Sequence, residues 1–298
     1  MGEGHPESPA RMGAILKRLN SSGLLTNELN SELLQFQATP ISKKLLELAH
    51  DKSYIDFIYN NAPSSGFFEL DPDTRMNTDS LSAALLSAGA AINAVDLIFE
   101  GKITSAFCAT RPPGHHAERN KAMGFCFFNN VAIAAIYARQ KYNLERVAIL
   151  DFDVHHGNGT QEILQDKQGF LFCSTFEHPL YPNSGTESHP KHIINSPLSA
   201  NTGSKEFRAT IERDWLPALH QYKPQMIFVS AGFDAHIEDQ ISRIELDESD
   251  YRWISQQIKD IAEHYSSGRI VSTLEGGYSI DALGRSVVTF IKGLTKSL

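Results

Sequence analysis

Runs of lysine and arginine are missing from this 298-residue chain, whose formal net charge is −8. The electrostatic footprint of a nucleic-acid-binding surface is therefore absent, whereas an acidic balance suits attraction of a basic peptide or polyamine. Cysteine is scarce. Cys108, Cys126 and Cys173 are odd in number and lie in or near apolar, strand-like stretches, so they read as reduced, buried thiols rather than a disulfide framework, which points to the cytoplasm. No apolar run approaches the ~18 residues of a membrane span, and no basic-then-apolar signal opens the chain, so no membrane partner is expected. Internal repeats and low-complexity linkers are also missing. With 41% hydrophobic residues the chain can bury a sizeable core, and residues 1–298 are read as a single domain.

What is present is alternation. A Gly/Pro-containing opening leads into a helix with Ile15, Leu16 and Leu19 at helical spacing, and Leu45 to Ile58 continues that period. Asn60 to Asn77, rich in Pro, Ser, Gly and Asp, reads as a long loop, and Ser80 to Phe99 as an amphipathic helix with Leu81, Leu85, Ala88, Ile92, Val95 and Phe99 on one face. Short apolar runs follow at Ile103 to Ala109, Arg146 to Asp153, Gly169 to Ser174, Gln225 to Ala231 and Arg269 to Leu274. Helical spacing falls between them, at Asn129 to Tyr142, Ser204 to Tyr222 with Pro217 as a kink, and Glu248 to Tyr265. Such alternation predicts an α/β fold, a mostly parallel sheet with helices on both faces and ligands at the carboxyl ends of its strands.

Each of those runs ends in polar or glycine-rich residues: RPPGHHAE, DFDVHHGNGT, STFEHPLYPNSG, SAGFDAH and LEGGY. Along DFDVH the side chains alternate, which puts Asp151, Asp153 and His155 on one side of a strand end and Phe152 and Val154 on the other. Two carboxylates and an imidazole there form a metal site or a proton relay, against the plainer reading of a solvated polar strand end. The pair His115 and His116, with Asp234 and Tyr278, reaches the same rim from distant parts of the sequence. Alone, a histidine pair or a Gly-Gly-Tyr would mean little.

Taken together, RPPGHHA, GFCFFNN, DFDVHHGNGTQ, SAGFDAH and LEGGY, preceded by GHPESPARM, resemble the histone deacetylase superfamily in its class II and bacterial acetylpolyamine-amidohydrolase-like branches. The resemblance spans Gly4 to Tyr278. It implies the arginase/deacetylase fold, one catalytic zinc and hydrolysis of an N-acyl amide on a lysine-like amine. By position, the zinc ligands fall on Asp153, His155 and Asp234. Three protein ligands leave a position open for water or a substrate carbonyl, as catalytic zinc requires, although a set with two carboxylates also admits Fe²⁺ or Mn²⁺. His115 and His116 match the tandem catalytic histidines, with His116 assigned as the base that takes the proton from the attacking water. Asp151 matches the carboxylate that orients His115, and Asn158 stands where many members have a second aspartate. An amide stabilises imidazolium less than a carboxylate does, so His116 is expected to have the lower pKa of the two. Tyr278, placed by Gly276 and Gly277, matches the transition-state tyrosine.

The resemblance further implies an acyl-lysine tunnel lined by Phe125 and Tyr181 with Gly124 and Gly277. It also implies a structural K⁺ held around Asp151, Asp153, His155, Ser174 and Thr175. Polyamine-selective relatives carry a glutamate seven residues after the second aspartate ligand, where this chain has Ile241. Acetyl-lysine peptides are therefore expected to be preferred over small acyl-amines, unless Glu238 or Asp239 takes the glutamate's place. An edge strand normally precedes the HPE motif in the family, so the sheet is expected to lack one strand. Two rival readings fit the residues less well. A binuclear ureohydrolase wants further bridging carboxylates, but Gly157 and His236 stand at those positions. A non-catalytic acyl-lysine-binding scaffold would be expected to have lost a ligand or Tyr278, and both are kept.

Overall fold

In the computed structural model, residues 1–2, 4–25, 33–187 and 190–295 are described. The chain enters through helix α1 (Ala10–Ser21), whose Ile15 and Leu19 are buried. The helical period expected from Leu45 to Ile58 is split into α2 (Lys43–Leu46) and α3 (Lys52–Asn60). The break has a cause outside the segment: the Asp51 N–H donates to the Arg119 carbonyl at 2.9 Å, and the His50 ring is bonded to the main chain of Glu118 and Asn129. The stretch read as a long loop from Asn60 to Asn77 contains an antiparallel hairpin, β1 (Phe68–Asp71) and β2 (Thr74–Met76). Its strands are too short, and too interrupted by Pro72 and Asp73, for alternation to show.

Helix α4 (Ser80–Phe99) is as expected in extent. Although no apolar run was expected to approach a membrane span, this 20-residue helix contains an 18-residue window of mean hydropathy 1.7, long and apolar enough by composition to cross one. Half of that window is buried inside the fold, and Ala84, Ala88, Ala91 and Val95 lie in the core it shares with α5 (Asn130–Lys141). That is also how a core helix reads. Between them runs β3 (Ser105–Cys108), and after α5 come β4 (Val147–Asp151), α6 (Asn158–Leu164) and β5 (Phe170–Glu177). Strand β6 (Ile193–Leu198) was not expected, and its Pro197 is tolerated because the strand lies at the sheet edge.

The Ser204–Tyr222 helix is unbroken but not α-helical throughout. It runs as α7 (Ser204–Thr210), a π-helical turn at Ile211–Trp215 and α8 (Leu216–Tyr222). Pro217 stands where the π-helical turn passes into α8, so its missing N–H falls where the hydrogen-bonding pattern changes. Then follow β7 (Met226–Ala231), α9 (Glu248–Tyr265), β8 (Ile270–Leu274) and α10 (Ile280–Leu294), the last not anticipated despite buried Leu283, Val287 and Ile291 at helical spacing.

Among the described residues the main sheet has six parallel strands in the order β3-β8-β7-β4-β5-β6. Alternate residues of the central strands feed two cores. Val147, Ile149, Phe172 and Phe228 join α3, α4 and α5 on one face, and Ala148, Leu150, Leu171 and Val229 join α1, α9 and α10 on the other. Cys108, Cys126 and Cys173 are free and buried, as expected. From β4 the chain goes outward one way to β5 and β6, then returns to β4's other side for β7 and β8. The reversal makes the carboxyl end of β4 the topological switch point, where a crevice opens in folds of this kind.

Candidate active site

Asp151 closes β4, and the segment Asp153–His155 follows it at the switch point; Asp234 follows β7. Asp153, His155 and Asp234 are buried, and one ligating atom of each lies within 4.8 Å of the others. The surrounding main chain aims the carboxylates. Asp153 Oδ1 accepts from the His155 N–H at 2.9 Å and its Oδ2 from the Gly276 N–H at 2.8 Å, while Asp234 Oδ1 accepts from the Val154 N–H at 3.0 Å. Asp234 Oδ2 is buried with no hydrogen-bond partner, 3.2 Å from His155 Nδ1. An orphaned carboxylate oxygen beside an imidazole nitrogen and a second carboxylate is a donor set that a divalent cation satisfies, so the trio fits a metal. A Cβ at Gly276 would lie 2.0 Å from Asp234 Oδ2, which explains glycine at that position.

The tandem histidines are buried beside this trio, their rings 4.0 Å apart. His115 Nδ1 meets Asp151 Oδ2 at 2.9 Å, whereas His116 Nδ1 meets Asn158 Oδ1 at 2.7 Å. Burial disfavours both imidazolium forms, but the carboxylates of Asp151 and Asp153 more than offset it at His115 and raise its pKa. His116 has no such partner. Burial and the neighbouring positive charges of His115 and His155 hold its pKa well below the ordinary histidine value. Asp151 is in turn pushed up by burial, against the pull of His115.

Tyr278 follows Gly277, which sits at φ +121°, a left-handed conformation that favours glycine. Its ring lies 4.9 Å from the Arg11 guanidinium and edge-on to Phe125 at 5.9 Å. Burial, together with the charges of Asp234 and Asp153, keeps the phenol protonated by raising its pKa well above 10.0. Phe125 itself has φ +66° and its N–H donates to Thr74 Oγ1 at 3.0 Å, so the unanticipated hairpin braces this turn. Gly124 precedes it at φ +55°, packed against His116. Tyr181 stands edge-on to His116 at 5.3 Å and to His155 at 6.2 Å. The two aromatics thus flank the histidine, metal and tyrosine groups.

The remaining expected positions fall less directly at the site. Ile241 is half-buried against the second core, with its N–H on Asp239 Oδ1 at 3.2 Å. Glu238 is bonded to Arg285 at 2.5 Å, and Asp239 is buried, so neither acid projects free. Ser174 pairs in register with Asp151 and its Oγ is buried without a partner, which fits a cation inside the sheet; Thr175 beside it is also buried.

Sequence reasoning missed the supports behind these groups. Glu275, fully buried, accepts from the Gly114 and His115 N–H groups at 2.6 and 3.1 Å. Arg11, also fully buried, donates to the carbonyls of Gly277 and Glu275. Glu118 accepts from Asn158 Nδ2 at 2.8 Å, which fixes the amide that faces His116. Glu275 lies within the LEGGY stretch and Arg11 within GHPESPARM, but the bonds by which they hold the two turns go to main-chain groups that no residue pattern reveals.

Comparison with known proteins agrees with this arrangement. A family profile described as the histone deacetylase domain matches residues 5–294. The histone deacetylase-like amidohydrolase of Pseudomonas aeruginosa is 34% identical over 99% of this chain and 79% of its own length, and the probable deacetylase of Archaeoglobus fulgidus is 35% identical over 93% and 77%. The type-2 histone deacetylase 2 of Dictyostelium discoideum is 42% identical over 74% of this chain, a match that spans only 14% of that much longer protein. The crystal structure of the HDA15 HD domain superposes with a TM-score of 0.91 at 32% identity, over 99% of this chain and 83% of that one.

Proposed function

The chain belongs to the histone deacetylase family, a family of zinc-dependent hydrolases, and on that premise we propose that it removes acetyl or other short acyl groups from the side chains of N-acyl-lysine peptides or proteins. The observation that carries the reading is the pair of histidines with unlike partners beside the Asp153, His155 and Asp234 trio. Those three residues would hold the zinc, which when bound polarises a carbonyl and lowers the pKa of water to about 7. His116, kept neutral, takes the proton of the attacking water at Nε2, because its Nδ1 is engaged by Asn158. His115, stabilised as imidazolium by Asp151, gives a proton to the departing amine. Tyr278 donates its hydroxyl to the developing oxyanion. Phe125 and Tyr181 flank the acyl-lysine stem and exclude water, and a K⁺ is assigned to the interior around Asp151, Asp153, His155, Ser174 and Thr175.

A peptide substrate is favoured because the acids nearest Ile241 are committed elsewhere, Glu238 to Arg285 and Asp239 to main-chain N–H groups. A polyamine's distal ammonium would find neither of these two carboxylates unengaged. The test compares kcat/KM for an acetyl-lysine peptide and for N-acetylputrescine, before and after chelation. The peptide should be preferred by about 10-fold or more, and activity should vanish with the chelator and return with Zn²⁺. Full activity in metal-free protein would sink the mechanism, and a preference for the acetylpolyamine would overturn the substrate.

A further inference from the structure

Asp239 is a buried acid, 6% exposed, that none of the proton transfers above uses. Its bonding is entirely to main chain. Oδ2 accepts from the N–H groups of Tyr278 at 2.6 Å and Ser279 at 2.9 Å, and Oδ1 accepts from the Ile241 N–H at 3.2 Å. Its own N–H donates to the His236 carbonyl at 2.7 Å, which pins the acid to the loop after Asp234.

The turn from Glu275 to Ser279 is anchored in two halves. Upstream, the Gly276 N–H donates to Asp153 and the Gly276 carbonyl accepts from Phe233, while Arg11 holds the carbonyls of Glu275 and Gly277. Downstream, the amides of Tyr278 and Ser279 rest on Asp239 Oδ2. Between the halves lies Gly277 at φ +121°, a residue with the widest backbone freedom of any. A hinge of that kind fixes nothing by itself, so the direction in which Tyr278 leaves the main chain depends on the two bonds to the Gly277–Tyr278 peptide, Arg11 on its carbonyl and Asp239 on its N–H, of which only Asp239 also holds Ser279. Charge-assisted bonds from one carboxylate oxygen to two successive amides provide such an anchor, and are stronger than neutral ones.

We infer that Asp239 is a positioning residue, which sets the main chain of Tyr278 and so holds its hydroxyl where charge develops during the reaction. The inference rests on the reading of Tyr278 as the oxyanion donor. Catalytic donors lose effect when displaced by as little as an ångström, so the cost of freeing the turn falls on turnover rather than on substrate affinity. Asparagine at position 239 cannot replace the carboxylate: with its oxygen toward Tyr278 and Ser279, its NH₂ faces the Ile241 N–H, and the reverse orientation faces two donors with a third.

The experiment is a double-mutant cycle on the zinc-loaded enzyme, with Asp239→Asn, Tyr278→Phe and the double variant, reading kcat, KM, zinc per chain and melting temperature. Asp239→Asn should lower kcat about 10- to 100-fold with KM within about twofold and zinc content unchanged. In the Tyr278→Phe background the same change should cost less than about threefold, because the hydroxyl it positions is gone. An equal loss of kcat with and without the hydroxyl would assign Asp239 a general structural role and overturn the inference. Tyr278→Phe alone leaving kcat intact would instead refute the oxyanion reading. Should Asp239→Asn fail to fold or to bind zinc, Asp239→Glu, which keeps the charge and shifts it by one methylene, runs through the same cycle with the same two outcomes.

Discussion

Glu275 does at one position what a loop cannot do for itself. Two successive N–H groups of the Gly114–His115 turn point inward, away from water, and each needs an acceptor. Glu275 Oε2 supplies both bonds, while Oε1 accepts from Ser230 Oγ at 3.2 Å and Thr273 Oγ1 at 3.0 Å. Truncation to alanine leaves two buried donors unpaired at ~1–3 kcal/mol each, so Glu275→Ala should lose about 2–6 kcal/mol of stability in urea unfolding. Glutamine has a way out. With its oxygen toward the amides, its NH₂ faces two hydroxyls that can accept, so Glu275→Gln should cost about 1 kcal/mol or less. Equal losses for the two variants would show that the charge, not the pattern of donors and acceptors, is what the site needs. Arg11 and Asp239 work in the same way on the neighbouring turn, and the three were not legible because the bonds that hold the turns run from a side chain to main-chain groups far along the sequence.

Helix α5 begins on Asn129, whose side chain accepts from the Ala132 N–H at 3.0 Å and donates to the Ala117 carbonyl at 3.1 Å, so the cap of the helix is also a tie to the histidine segment. The Asn129 N–H is itself bonded to His50 Nε2 at 2.9 Å, and His50 Nδ1 meets the Glu118 carbonyl at 2.9 Å. A backbone donor at Nε2 and a backbone acceptor at Nδ1 allow only the neutral Nδ1–H tautomer. Burial lowers the His50 pKa from 6.5 to about 4, against the opposing effect of the backbone carbonyl it bonds. Because the folded value lies below the unfolded one, the stabilisation is complete above pH 6.5 and is lost as pH falls through 4. The difference amounts to roughly 3 kcal/mol. Wild type should therefore lose stability between pH 6.5 and 4 more steeply than His50→Gln, which does not titrate. Parallel pH profiles in chemical denaturation would show that His50 is already free to protonate in the fold.

Across the whole molecule, the legible parts are those where burial dictates residue type. Strands β4, β5, β7 and β8, buried on both faces, announce themselves as apolar runs, and the polar groups that follow them mark the rim of the sheet. Edge strand β6, with Asn195, Ser196 and Pro197, and the short β1–β2 hairpin, which fully buries only Thr74 and Met76, carry no such constraint along their length. The rim has a consequence for stability. Asp151, Asp153, Asp234 and Glu275 are all at most 1% exposed around the switch point, with His115 and His155 as the neighbouring cations. Concentrated buried negative charge is costly unless a cation offsets it, and a divalent ion held only by the folded trio stabilises the fold by mass action. At a zinc concentration 100 times its dissociation constant the gain is about 2.7 kcal/mol, rising with the logarithm of concentration. Chelator-stripped protein should thus melt several degrees lower than zinc-loaded protein, with a melting temperature that climbs steadily as zinc is added. Asp234→Asn, which weakens one ligand and removes one buried charge, should raise the melting temperature of the stripped protein and flatten its response to zinc. A wild-type melting temperature indifferent to zinc, measured alongside direct metal analysis, would mean that Asp153, His155 and Asp234 do not hold the ion.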